Sequence, residues 1–113
     1  MEYLRKVWEV YADVPKYHYT HMYGGHSDSW NQLKTHDSII ALTLEQMLSS
    51  GALDNTVLIL AGDHGFHSHR RINDLIAGEF EHRSPALKVF IPKKVLEMHP
   101  ETEATMAYNT QRL

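Results

Sequence analysis

The chain has 113 residues, of which 42% are apolar, and it carries a formal net charge of -3 and no cysteine. This allows one domain with a core of its own, and it excludes disulfide and thiolate chemistry within the chain. The weak acidic balance leaves no electrostatic footprint for nucleic acid or an anionic membrane, and no apolar run approaches the length of a membrane span.

Residues 1–12 place Tyr3, Leu4, Val7, Trp8 and Tyr11 at the three-and-four spacing of one helical face. Asp13-Val14-Pro15 ends that helix, because proline disfavours helical backbone in the residue before it. No apolar core of a signal peptide follows Met1. Tyr17 to Met22 alternates as a strand does, with Tyr17, Tyr19 and His21 on one face and His18, Thr20 and Met22 on the other. Tyr23 to Ser29 is a loop by composition.

A second helix is predicted from Asn31 to Ser50, with Leu33, Ile40, Leu44, Met47 and Leu48 as its buried stripe and Gly51 as a left-handed C-cap. Asp54-Asn55 turns into an apolar strand, Thr56 to Ala61, which runs into Gly62-Asp63-His64-Gly65. A polar stretch reaches Ser84. A further strand, Ala86 to Ile91, stops at Pro92, and a short helix, Lys93 to Met98, stops at Pro100. Glu101 to Leu113 reads as helix and then frayed end. Strands alternating with helices predict an α/β fold with a mostly parallel sheet and right-handed crossovers. Only about three strands are visible where 5 or 6 are usual, so residues 1–113 are expected to form one incomplete domain.

Three stretches carry candidate chemistry. Asp63 and His64 end a strand, where ligands of open α/β sheets bind, and they are a hard oxygen donor and an imidazole donor for a metal. Neighbouring strand residues point to opposite faces, and the break at Gly65 would let both turn toward one ion. The plainer alternative is a capping Asp and a loop His. Gly24-Gly25-His26-Ser27-Asp28 follows the first predicted strand; His26 is a candidate third ligand or proton donor to a leaving group, against a simple polar glycine turn. His67, His69, Arg70 and Arg71 offer contacts to a metal or to phosphate or sulfate, against an exposed basic loop. Among Glu79, Glu81 and Arg83 an ion pair leading into the last strand is the favoured role. No phosphate-cradling glycine loop and no serine nucleophile elbow is present.

The run Leu53-Asp54-Asn55-Thr56 through Asp63-His64-Gly65 resembles the "LDNT-strand-DHG" signature of the sulfatase-like branch of the alkaline phosphatase superfamily. Gly78-Glu79-Phe80-Glu81-His82-Arg83-Ser84-Pro85-Ala86-Leu87, with Ile91-Pro92 beyond it, looks like that branch's "GExEERxPxL…P" segment. Together with the helix end at Tyr11 to Pro15, the aromatic strand and the His26 loop, the chain is most similar to an uncharacterised animal family of sulfatase-like proteins (domain of unknown function 229).

The resemblance implies a partial alkaline-phosphatase-like sandwich with a mostly parallel central sheet and helices on both faces. It also implies hydrolysis of phosphate or sulfate esters at a divalent metal, zinc or calcium, in an extracellular or secretory-pathway protein. Asp63 and His64 would match the family's metal pair, and His26 its loop histidine, as ligand or active-site polar group. The chain departs from the pattern in several places. No stretch before residue 26 resembles the segment bearing the nucleophile. Residues 22–25 offer no acidic ligand, and His82 stands where the pattern has Glu. The expectation is therefore the C-terminal part of such a domain, with an incomplete metal site, no nucleophile, and an N-terminal half as its partner. By itself it should be inactive and marginally stable, since a partial sheet leaves edges and apolar faces uncovered. The alternative is a non-catalytic module that binds a sulfated or phosphorylated glycan.

Overall fold

The computed structural model describes residues 1–25, 31–65 and 75–111. Among these the chain is mixed α/β: five α-helices, a short 3-10 turn at Tyr23–Gly25 and one two-stranded sheet. It divides into two compact units, Met1–Asp54 and Asn55–Leu113. No helix among the described residues is long and apolar enough to cross a membrane.

In the first unit α1 (Glu2–Val10) and α2 (Asn31–Ser49) lie against each other. Its core is Trp8, Thr43, Met47 and Leu53, all at least nine-tenths buried. The stripe of α1 narrows to Trp8, with Leu4 and Val7 half-buried, while Tyr3 and Tyr11 face solvent. Beyond α1, the Lys16 ammonium donates to the carbonyls of Tyr11 (2.6 Å) and Val14 (3.2 Å) and lies 5.3 Å from the centre of the Trp8 ring. One lysine thus caps the last turn and supplies a cation–π contact.

In α2 the stripe centres on Ile40, Thr43, Leu44 and Met47, and Leu48 is exposed; the Leu33 side chain lies outside the described set. Burial of Thr43 is offset by its hydroxyl donating to the Ile39 carbonyl one turn back, at 2.7 Å. The C-cap is as predicted. Gly51 has φ of 74°, its N–H donates to the Leu48 carbonyl (3.1 Å), and the Ala52 N–H donates to the Met47 carbonyl (3.0 Å). That pair of bonds is the Schellman arrangement, and it needs a residue that tolerates the left-handed conformation.

The predicted strand at Tyr17 to Met22 makes no sheet ladder. Its alternation survives: His18 Nε2 lies 2.9 Å from Thr20 Oγ1, and the Tyr19 hydroxyl lies 3.3 Å from His21 Nδ1, each pair two residues apart. A pattern of period two needs a neighbouring strand to become a sheet, and the described residues place none there. Gly24 sits close to α2: an added Cβ would come within 2.6 Å of His36 Cε1, so the His36 ring would have to shift.

In the second unit β1 (Leu58–Ala61) and β2 (Leu87–Phe90) pair antiparallel, with Leu58 opposite Phe90, Ile59 opposite Val89, Leu60 opposite Lys88 and Ala61 opposite Leu87. The pairing corrects the expected parallel arrangement for these two strands. The Gly62 N–H donates to the Ala86 carbonyl (2.8 Å) and the Gly65 N–H to the His82 carbonyl (3.0 Å). The segment leaving β1 is therefore bonded to the segment approaching β2, and the chain returns as a long hairpin rather than a crossover.

The polar stretch before Ser84 contains a helix the sequence pattern did not reveal, α3 (Ile76–Arg83). It begins at Leu75 without a side-chain cap and carries Gly78 in its interior, two features that weaken a helical signal. Glu79 and Arg83 form an ion pair one turn apart, 2.9 Å; the expected pair is present, within the helix. Helices α4 (Lys93–Met98) and α5 (Glu101–Thr110) follow, starting after Pro92 and Pro100 as their prolines predict. Ile59, Ile76, Phe80, Leu87 and Phe90 of this unit are all more than half exposed.

Candidate functional site

The Asp63–His64 pair stands just beyond the carboxyl end of β1. Gly62 is the last residue tied to the β2 side by a main-chain bond before the chain turns. There the Asp63 carboxylate folds back, and its Oδ1 accepts the His64 N–H at 2.9 Å. The other oxygen, Oδ2, lies 3.6 Å from His64 Nε2. The break after β1 thus brings two consecutive side chains to one side, which a continuing strand would not do. Both remain accessible, with 77% of the Asp63 side chain and 36% of the His64 side chain exposed.

The imidazole is oriented from its other nitrogen. His64 Nδ1 lies 2.7 Å from the Gly65 carbonyl. A carbonyl only accepts, so Nδ1 carries the proton; Nε2 then faces the carboxylate as a lone pair in the neutral ring, or as an N–H that pairs with Asp63 in the protonated one. Metal-binding histidines are characteristically held this way, one ring nitrogen donating to a carbonyl while the other ligates. The separation also fits an ion. With donor–metal bonds of about 2.0–2.2 Å, a 3.6 Å gap between oxygen and nitrogen corresponds to an angle of roughly 110–130° at the metal, a range that includes the tetrahedral angle. The spacing of Asp63 and His64 is compatible with two donors of a zinc-sized cation. Among the described residues no group of three or more His, Asp or Glu converges on one point.

His82, which sequence reasoning treated only as a departure from a pattern, belongs to this site. Its Nδ1 lies 3.2 Å from the same Gly65 carbonyl, and its ring centre is 5.3 Å from that of His64 at an interplanar angle of 56°. Its own carbonyl accepts the Gly65 N–H. Gly65 is therefore clamped on both main-chain polar groups by one residue of α3. The fit is tight enough that a Cβ on Gly65 would overlap the Glu81 carbonyl oxygen and lie 2.9 Å from His82 Cα. Nothing local signals this contact, since 17 residues separate the partners; the abundance of histidine, 9 in all, is the one hint.

His26, and with it Ser27 and Asp28, lies outside the described residues, as do His67, His69, Arg70 and Arg71. Glu79 and Arg83 are engaged with each other on α3. No curated protein and no solved structure matches the chain. A protein-family model does, over residues 1–113. The chain thus belongs, along its full length, to the sulfatase-like family described as "Protein of unknown function (DUF229)".

Proposed function

We propose that the chain is part of a metal-dependent phosphate- or sulfate-ester hydrolase of the alkaline phosphatase superfamily, supplying part of the metal site and no nucleophile. The observation that carries the reading is the convergence of Asp63 Oδ2 and His64 Nε2 at 3.6 Å, with the imidazole oriented by the Gly65 carbonyl. An imidazole in the donor set favours zinc over calcium, which takes oxygen donors. Such a cation, when bound, would activate a hydroxyl and neutralise charge on the ester oxygens. Within this chain Asp63 contributes the anionic donor and His64 the neutral one. Gly65 fixes which imidazole nitrogen faces the ion.

On this reading His26 is a further ligand or the proton donor to the leaving group, and the nucleophile and the parallel strands of the sheet come from an N-terminal half of the same domain. The protein acts in the secretory pathway or outside the cell. The test is hydrolysis of p-nitrophenyl phosphate and p-nitrophenyl sulfate by the native protein, with Asp63→Ala and His64→Ala variants. Since loss of a residue that merely supports a ligand already costs about 10–100-fold, each should lower kcat/KM by at least about 100-fold. Unchanged turnover in both overturns the proposal. Absence of turnover, with retention of a sulfated glycan after treatment with chelator, selects a non-catalytic glycan-binding module instead.

A further inference from the structure

We infer that His82 is the positioning residue of this site: by holding the Gly65 main chain it sets the tautomer and aim of His64, and so the affinity of the Asp63–His64 pair for a divalent cation. The inference rests on the metal-site reading above and adds to it a residue that contributes no donor to the ion. A carbonyl oxygen has two lone pairs and can accept two N–H groups. The Gly65 oxygen takes His64 Nδ1 at 2.7 Å and His82 Nδ1 at 3.2 Å. The other side of the same peptide position is held as well, since the Gly65 N–H donates to the His82 carbonyl at 3.0 Å. The carbonyl that orients His64 is thus itself oriented from α3, by a half-buried side chain on a regular element.

Asp63 Oδ1 accepts the next residue's N–H, which fixes the local turn, and His82 ties that turn to α3. Removing the His82 side chain takes away one of the two hydrogen bonds by which His82 holds the glycine, the one made to the carbonyl that orients His64. Groups that orient a ligand in this way typically change metal affinity by about 10–100-fold when lost.

The test uses the native protein with two readouts: Zn2+ titration by calorimetry, and the ring-nitrogen chemical shifts of His64 by NMR without metal. His82→Ala is expected to weaken Zn2+ binding by about 10-fold or more and to move His64 from the Nδ1–H tautomer to a mixture. His82→Asn, whose amide nitrogen is a donor at the same reach as Nδ1, is expected to keep both properties near wild type. The inference is overturned if His82→Ala leaves the tautomer unchanged. It is overturned equally if Asn weakens binding as much as Ala, which would make His82 a direct donor. If Asp63→Ala binds Zn2+ as wild type does, the metal-site reading fails, and the metal-free tautomer measurement still decides the role of His82.

Discussion

Gly65→Ala is the most direct probe of the site, because the glycine there is needed for space and not for its backbone angle: Gly51 is the only described residue with positive φ. The added methyl would overlap the Glu81 carbonyl oxygen and approach the Glu81 carbonyl carbon to 2.7 Å and His82 Cα to 2.9 Å. These are backbone atoms and cannot move aside as a side chain would. Forced repacking of this kind costs about 1–3 kcal/mol, and the hydrogen bond from Gly65 N–H to the His82 carbonyl is worth about 0.5–1.5 kcal/mol more. The turn should therefore open more easily by roughly 2–4 kcal/mol, a rise of about 30-fold or more in the open population at 1.4 kcal/mol per decade. Native-state amide hydrogen exchange reads this locally. The amide at position 65 should exchange at least about 30-fold faster than in the wild type, while that of Ala52, which donates to the Met47 carbonyl, serves as the internal reference. An amide at position 65 that exchanges within about threefold of wild type would refute the clamp and, with it, the account of how His64 is aimed.

Two substitutions in the first unit test its packing and its cap. Met47 is 3% exposed at the centre of the α2 stripe, and Met47→Ala should destabilise the unit by about 2–5 kcal/mol, measured as the shift of the urea midpoint followed by tryptophan fluorescence; a shift under about 1 kcal/mol would mean that the stripe has been placed on the wrong residues. Gly51→Ala, forced into the left-handed region at φ of 74° with its Cβ 3.1 Å from Asp54 Oδ2, should cost about 1–2 kcal/mol in the same experiment, and no loss would show that α2 ends differently.

The apolar core and the site differ in how they are encoded. Trp8, Met47 and Leu53 are the buried apolar residues of the described chain, and all precede residue 55. The second unit exposes Ile59, Leu87 and Phe90 from its sheet and Ile76 and Phe80 from α3. A two-stranded sheet has two open edges and two faces, and such a ribbon has little independent stability. The uncovered apolar faces that the expectation of marginal stability invoked are present on these five described residues.

What was legible in the sequence is what depends on near neighbours. The Gly51 cap, the proline-delimited helices Lys93–Met98 and Glu101–Thr110, and the placement of both strands follow from propensities and hydrogen bonds that span about five residues or fewer. That Asp63 and His64 stand just past an apolar strand was legible for the same reason; the strand itself ends at Ala61, ahead of the break expected at Gly65, and it is half exposed. Three features were not. The antiparallel sense of β1 and β2 depends on the chain after Ala61 bonding to the chain before Leu87, a contact across 24 residues for Gly62 and Ala86. Helix α3 has no capping side chain and an internal glycine, so it forms through its surroundings and its Glu79–Arg83 pair rather than through a strong local signal. The engagement of His82 with Gly65 arises only when that helix lies beside the turn. Amino-acid order determined which side chains stand at the end of β1. Only tertiary structure decided that a glycine carbonyl, held from α3, turns His64 Nε2 toward the Asp63 carboxylate, because the direction of a side chain after a strand break is set by whatever packs against the break.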